Sequence, residues 1–402
     1  MKGGIEVEKM NQEGMEPVER VLYMESPSPA GILESLESGP ELSGEVLLVL
    51  VAEPSASALG EVIATLKGIR APFMGAVVPG LIFDHQVHLR GILLLRLRLA
   101  ASPLLIRLDD CGEGYPADFL QLNEALAEGG GTLLMLVDGL NGGISGFLRE
   151  ISGLLGNHVA YLGGGAGYRD LVQRPCIFSP AGVFTDAAVV IPLPCRAEVG
   201  IRHGFARVGP LLVATRTDNG RVYEIDWRNA FEVYQDVVRK TCATEVGREN
   251  FRAVAPYHPL GIIREGAEEL IQDPVAAYAD GSLKCLGQIP ENSPMSIMKG
   301  DPEAMIRAAR DAGRVLWEAV RGAGGDAEGS RPQMGIVIDC VSRFLMLGDR
   351  FGEELAAVSL NGSEGPAQLP VTGFLSLGEI GSSGEGWVDF HNKTVVTGVL
   401  YD

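Results

Sequence analysis

Three runs of consecutive apolar residues constrain the fold most. They are Val46-Leu47-Leu48-Val49-Leu50-Val51, Leu133-Leu134-Met135-Leu136-Val137 and Met334-Gly335-Ile336-Val337-Ile338. Each has the length of a strand, and a strand that is apolar on consecutive positions needs cover on both faces. A similar succession surrounds each run: strand, amphipathic helix, second strand running into a Gly-containing loop, then a further apolar strand. In the first copy the helix shows Leu59, Val62, Ile63 and Leu66. Phe73 to Val78, the turn Pro79-Gly80 and strand Ile92 to Leu99 follow. In the second, the helix shows Ile144, Phe147, Leu148, Ile151, Leu154 and Leu155. Val159 to Leu162 then enters Gly163-Gly164-Gly165-Ala166-Gly167, and Ala187 to Ile191 closes the unit. In the third, a helix starts near Ser342, Val371 to Phe374 leads to Gly378-Glu379-Ile380-Gly381, and Thr394 to Leu400 is the final strand.

A strand, helix, strand succession gives a parallel pair with a right-handed crossover, and the added strand makes the sheet mixed. The expected fold is therefore α/β, with layered mixed sheets, helices on the outer faces, two subdomains and an internal strand-helix-strand-strand repeat. Between copies two and three, Asn219-Gly220 and Asp280-Gly281 read as hairpin turns. A helix with Phe231, Val233, Tyr234, Val237 and Val238 lies between them. Asp301-Pro302-Glu303 opens a long helix with the stripe Met305, Ile306, Ala309, Ala312, Leu316 and Ala319. The polar stretch from Lys240 to Phe251 sets the main boundary. The expected organisation is a poorly ordered acidic leader over 1–44, with a short helix near Ile32 to Leu36 left open. An N-terminal domain over 45–245 and a C-terminal domain over 246–402 follow.

Charge narrows the partners. The net charge of −19 repels phosphate backbones and anionic lipid, so nucleic-acid binding and membrane insertion are not expected. The apolar stretch from Gly91 to Leu108 contains Arg96, Arg98, Pro103 and Arg107 and alternates like a strand. Six scattered cysteines form no C-x-x-C pair, and the first residues lack the apolar core of a signal peptide. A cytoplasmic protein with reduced thiols is the plain reading, and the sequons at Asn361 and Asn392 are read as chance.

Common enzyme signatures are absent: no phosphate-binding G-x-x-x-x-G-K-[ST], no H-E-x-x-H, no G-x-S-x-G. Ser296-Ile297-Met298-Lys299 fits S-x-x-K without its companion motifs. His85 and His88 are read as turn residues rather than metal ligands, and no cofactor is expected. Gly163 to Gly167 is the most unusual local feature. Its backbone N–H groups could converge on a carboxylate or phosphate; the competing reading is a close crossing of two chain segments. Cys340, at the end of an apolar strand, is either a nucleophile served by His203 or His391 or a small buried packing residue. Arg343 either forks onto a ligand carboxylate or forms a structural ion pair. Asp389-Phe390-His391-Asn392-Lys393-Thr394 offers donors and acceptors together, or is a satisfied turn.

These residues resemble the FIST sensory domain family over about Glu45 to Leu400. Its N-terminal part is matched by Leu162 to Gly167, Val199-Gly200-Ile201-Arg202-His203-Gly204-Phe205, Val213-Ala214-Thr215-Arg216 and Val222 to Tyr234. Its C-terminal part is matched by Asp280 to Leu283, Asp339-Cys340 with Arg343, Leu377-Gly378-Glu379-Ile380, and His391-Asn392-Lys393-Thr394. The resemblance implies a cytoplasmic, non-catalytic module in signal transduction that binds a small, amino-acid-like ligand and acts on a separate output protein. On that reading the ligand lies between the N- and C-terminal parts. Its carboxylate meets the Gly163–Gly167 amides, with Gly163, Gly164 and Gly165 foremost, or Arg343, and its ammonium meets Glu379; His203, Arg216, Cys340, Gly378, His391 and Asn392 complete the site. The first Gly loop, Ala76 to Ile82, lacks the polar Ser/Thr and Glu that the family shows there. A thiol-dependent hydrolase or transferase is the alternative, and a scaffold whose acidic leader recruits a basic partner is the third reading.

Overall fold

Each apolar run is an interior strand of its own six-stranded sheet. The computed structural model describes residues 20–37, 44–68, 72–108, 118–127, 130–194, 196–218, 220–322, 332–359, 369–382 and 388–401. Strand β1 (Val21–Met24) and helix α1 (Pro29–Glu37) come first. The first repeat is β2 (Glu45–Ala52), α2 (Leu59–Gly68), β3 (Phe73–Val78), the hairpin β4 (Gly80–Phe83) and β5 (Gln86–His88), and β6 (Ile92–Arg98). Next come β7 (Leu104–Arg107) and α3 (Asp118–Ala127). The second repeat is β8 (Gly131–Asp138), α4 (Ile144–Leu155), β9 (Val159–Ala166), the hairpin β10 (Ile177–Ser179) and β11 (Gly182–Phe184), and β12 (Ala187–Leu193).

After β13 (Glu198–Arg202) comes a separate antiparallel sheet. It contains β14 (Ala206–Asp218), β15 (Arg221–Ile225), β16 (Arg228–Asn229), β17 (Leu260–Ile262), β18 (Leu270–Ala277), β19 (Leu283–Leu286) and β20 (Ser293–Lys299), with α5 (Ala230–Cys242) and α6 (Phe251–Val254) between strands. Strand β14 pairs with both β20 and β15, so the sheet closes into a barrel. Strands from both sides of residue 245 build it. Helices α7 (Pro302–Ala312) and α8 (Arg314–Gly322) lead to the third repeat. That repeat is β21 (Pro332–Cys340), α9 (Val341–Leu347), α10 (Phe351–Ser359), β22 (Val371–Ser376), the hairpin β23 (Glu379–Ser382) and β24 (Val388–His391), and β25 (Val395–Tyr401).

The repeat is real, and its register defines it. The first and second long strands pair in parallel, and the last strand lies antiparallel on the other side of the first: β6-β2-β3, β12-β8-β9 and β25-β21-β22. Each hairpin leaves its own repeat and joins the second strand of another. Strand β10 pairs with β3, β23 with β9, and β4 with β22, so the exchange closes a cycle of three. One glycine marks the same place in each copy: Gly75 opposite Val49, Gly163 opposite Met135, Gly373 opposite Val337. At all three a Cβ would collide with the carbonyl oxygen of the residue opposite. The hairpins are too short to stand out in the sequence, which is why only their Gly-containing approaches are legible there.

Residues from all three sheets meet in a shared core, including Leu48, Leu134, Leu136, Ile336 and Ile338. Burying each such side chain contributes roughly 1.5–3 kcal/mol. Helices cover the outer faces: α3 and α4 pack on β8 and β12, and α7 to α10 on the third sheet. Three expectations need adjustment. Residues 20–37 of the leader are built into the fold, with β1 paired to β6 and Ile32 buried in the core, whereas residues 1–19 fall outside the described residues. The helix opened by Asp301 is capped as expected, its side chain accepting from the Ala304 amide, but it breaks at Gly313 into α7 and α8. A Cβ on Gly313 would strike the Val358 carbonyl of α10, so the break seats one helix against another. Of the expected stripe on α4, Leu154 is exposed.

Candidate functional site

The three copies act as controls for one another, because register assigns equivalent positions. Two residues beyond the glycine-facing position lie Val51, Val137 and Asp339. Opposite the residue after the glycine lie Leu81, Ile177 and Glu379. Three residues beyond the glycine lie Val78, Ala166 and Ser376. Two copies are apolar at each place; the third is polar, and Asp339, Glu379 and Ser376 have no exposed surface. Burying ionisable groups costs several kcal/mol where apolar side chains demonstrably fit. This polar pole sits at the carboxyl ends of β21 and β22, where open α/β sheets place ligands.

Arg343 organises the pole from the first turn of α9. Its Nε donates to Glu354 Oε1 at 2.7 Å and lies 3.4 Å from Asp339 Oδ1. Nη1 donates to the carbonyls of His203 (2.5 Å) and Lys393 (3.0 Å), and Nη2 to that of Met305 (3.0 Å). Glu379 accepts from Ser376 Oγ at 2.5 Å and the Thr394 amide at 3.1 Å. Lys393, also buried, pairs with Asp273 of β18 at 2.9 Å. Asn392 Nδ2 reaches the carbonyls of Ile271 and Leu286, each at 3.4 Å. Barrel and third repeat are thus tied through buried polar contacts.

Protonation follows from burial. Burial, then the Glu354 carboxylate, pushes Asp339 well above the usual carboxylate range, against the pull of Arg343. Burial pushes Glu379 up to about 8, although Ser376, Thr394, Cys340 and Arg343 pull it down. Arg343 pairs with Glu354 at 2.7 Å, and Lys393 with Asp273 at 2.9 Å. Burial drives His203 down to about 4 despite Glu269. It drives His391 down to about 3, with Arg264 and His203 adding to the shift. Both imidazoles are neutral.

Glu379 makes stability fall with rising pH. Its folded pKa of about 8 lies above the unfolded ~4.3, so the folded state keeps a proton that the unfolded state has released. The stability this proton gives is complete below the unfolded pKa and is lost as pH climbs through about 8. The histidines act oppositely, but only below their unfolded value of ~6.5. Urea midpoints between about pH 6.5 and 8 should therefore decline in the native chain. In Glu379→Gln the slope should be shallower by up to ~1.4 kcal/mol per pH unit. Equal slopes in both would refute this assignment.

The expected site residues divide. His203, Cys340, Arg343, Gly378, Glu379, His391 and Asn392 converge on the pole. Gly163, Gly164 and Gly165 adjoin it, since Gly164 pairs with Glu379 and abuts Ser376 and Ile338. Their amides are not an open cradle. They lie on an interior strand with ladders on both sides; the Gly165 amide donates to the Gly378 carbonyl at 2.7 Å, and that of Gly167 to Val77 at 2.9 Å. The close crossing accounts for the glycines. Gly378, at φ +106, places its Cα hydrogens against the Phe390 ring. Arg216 is elsewhere, exposed on the barrel, 3.2 Å from Glu224 and over the Tyr223 ring. The Arg343 guanidinium is filled by protein acceptors. Cys340 is buried, and burial plus Glu379 push its thiol far up, the reverse of an activated nucleophile. His85 lies in the turn between β4 and β5 and bonds Ser359, whereas His88 ends strand β5 opposite Leu81 and bonds the Phe83 carbonyl.

Sequence reasoning missed Glu354, Asp273 and Ser376. Glu354 hides in the acidic pair Glu353-Glu354, which reads as a solvated helix start. Ser376 was discoverable by aligning the copies on their glycines.

Among the described residues no helix is long and apolar enough to cross a membrane, and no His/Cys/Asp/Glu group of three could hold a metal. The FIST N domain matches residues 45–228, and the FIST C domain matches residues 230–382. The curated proteins contain no match. The two matches meet within the barrel, at β16 and α5, and cover the pole as far as Ser382; His391, Asn392, Lys393 and Thr394 lie beyond them. This chain belongs to the FIST family, sensory domains of signal transduction.

Proposed function

We propose that the chain is a non-catalytic, cytoplasmic sensor that takes a small amino-acid-like ligand where the third repeat meets the barrel, and that it acts through a separate output protein. The observation that carries this reading is a pair of unpaired imidazole nitrogens. His203 Nε2 and His391 Nε2 are buried without a hydrogen-bond partner. Such atoms cost ~1–3 kcal/mol each unless something bonds them. His203 Nδ1 accepts from the Phe205 amide at 2.8 Å, so its proton sits on Nε2. That N–H points between Glu268 and Glu269, each 3.6 Å away. Those carboxylates also face Arg202 and Arg207, so a ligand ammonium would share them, and a ligand oxygen suits the His203 N–H. Among the described residues Cys176, Cys242, Cys285 and Cys340 are free thiols, which supports a reducing compartment.

Titration calorimetry against amino acids and simple amines tests the proposal. One class should bind, and His391→Leu or Glu268→Gln should weaken it at least ~10-fold, about 1.4 kcal/mol, with an unchanged circular-dichroism spectrum. Absence of heat across the panel, or binding indifferent to both changes, would remove the proposal.

A further inference from the structure

The barrel carries a large aromatic residue that its fold does not need. Strands β15 and β16 are joined by a two-residue turn, Asp226-Trp227, with φ of +50° and +58°. Such turns favour Asn-Gly or Asp-Gly, and a bulky residue there is strained. The turn is nevertheless fixed. The Asp226 carboxylate accepts from the Val213 amide at 2.8 Å, and the Trp227 amide donates to Thr215 Oγ1 at 2.9 Å. Trp227 is 79% exposed. Leu211, two residues before the Val213 that bonds Asp226, is 65% exposed on a β14 stretch whose register shifts between Val208 and Leu212.

Next to this knob lies a hollow. A groove of ≈ 310 Å³ has an apolar floor of Pro210, Leu212, Val233 and Val237, and its rim includes Asp226 and Arg228, the residues on either side of Trp227. That volume is at the lower end of ligand-sized pockets, suited to one aromatic ring system. A knob and a hollow side by side on one face are what an isologous twofold contact requires.

The charges of α5, which walls the groove, say which partner fits. Its exposed Glu232 lies in the first turn and its exposed Lys240 in the last, while Arg239 and Arg228 are both held by Asp236 at 3.0 Å. Two copies of α5 laid antiparallel across a twofold axis put Glu232 of each against Lys240 of the other. We propose that a second copy of this chain docks here, each Trp227 entering the partner's groove. This inference is independent of any ligand at the polar pole.

Sedimentation velocity on the full chain at about 1–100 μM tests it. The expected result is a concentration-dependent shift from 42.7 kDa to twice that mass. Trp227→Gly, which relaxes the turn, should weaken association at least ~30-fold, the effect of a central aromatic anchor, while the monomer melts no lower. Glu232→Lys and Lys240→Glu should each weaken it, and the double exchange should restore it. A single 42.7 kDa species throughout, or a dimer unmoved by Trp227→Gly, would overturn the proposal.

Discussion

Replacing Arg343 with Met is expected to cost about 3–5 kcal/mol of stability, the range for breaking a fully buried ion pair. The side chain has no exposed surface and donates to Glu354 and to three carbonyls from separate parts of the fold. Met fills similar space but leaves Glu354 as an uncompensated buried charge, with Asp339 beside it. Arg343→Lys should recover less than half of the loss, because an ammonium cannot span the planar fork of acceptors. Adding Glu354→Gln to Arg343→Met should recover part of it by removing the orphaned charge. Urea unfolding followed by circular dichroism measures all three. A loss below about 1 kcal/mol in the single variant would show that the pole is not a structural keystone.

Gly163→Ala should be at least as damaging, above about 4 kcal/mol or enough to prevent folding. A Cβ at Gly163 would overlap the Met135 carbonyl of the adjoining strand, and main chain on both sides cannot move without breaking two ladders. Gly153→Ala on the exposed side of α4 is the control. Nothing lies within 4 Å of its Cβ, so it should stabilise by roughly 0.5–1 kcal/mol. Thermal unfolding of the pair separates packing from generic helix propensity. Should Gly163→Ala fold normally and lose only ligand, the glycines would be a binding cradle after all.

The two outcomes bear on function as well as stability. Glycines and guanidinium are the features that a sequence most readily offers as anion binders, yet both are consumed by the protein itself. What remains for a ligand are the neutral imidazole nitrogens of His203 and His391 and the carboxyl oxygens of Asp339 and Glu354 that lack a hydrogen-bond partner, beside a Glu268–Glu269 pair that Arg202, Arg207 and the His203 amide already share.

Local chemistry made much of this legible. Runs such as Val46 to Val51 have to be strands covered on both faces, since no register exposes one side without exposing Leu or Val. The stripe Phe231, Val233, Tyr234, Val237 and Val238 is buried along α5 as its spacing predicts. Asp301-Pro302 caps α7 because capping depends on a few neighbouring atoms. The threefold repeat was visible as an order of elements for the same reason. Its cyclic exchange of hairpins was not, because hairpin pairing such as β4 with β22 joins residues nearly 300 positions apart. The pole divides along the same line. His203, Cys340, Arg343, Glu379 and Asn392 could be picked out one by one, but whether Arg343 meets a ligand or Glu354 depends on which surfaces are brought together. Sequence determines what each segment must bury; only the tertiary structure decides which partner satisfies a charge once it is buried. Desolvation and hydrogen bonding act between atoms close in space, wherever those atoms stand along the chain.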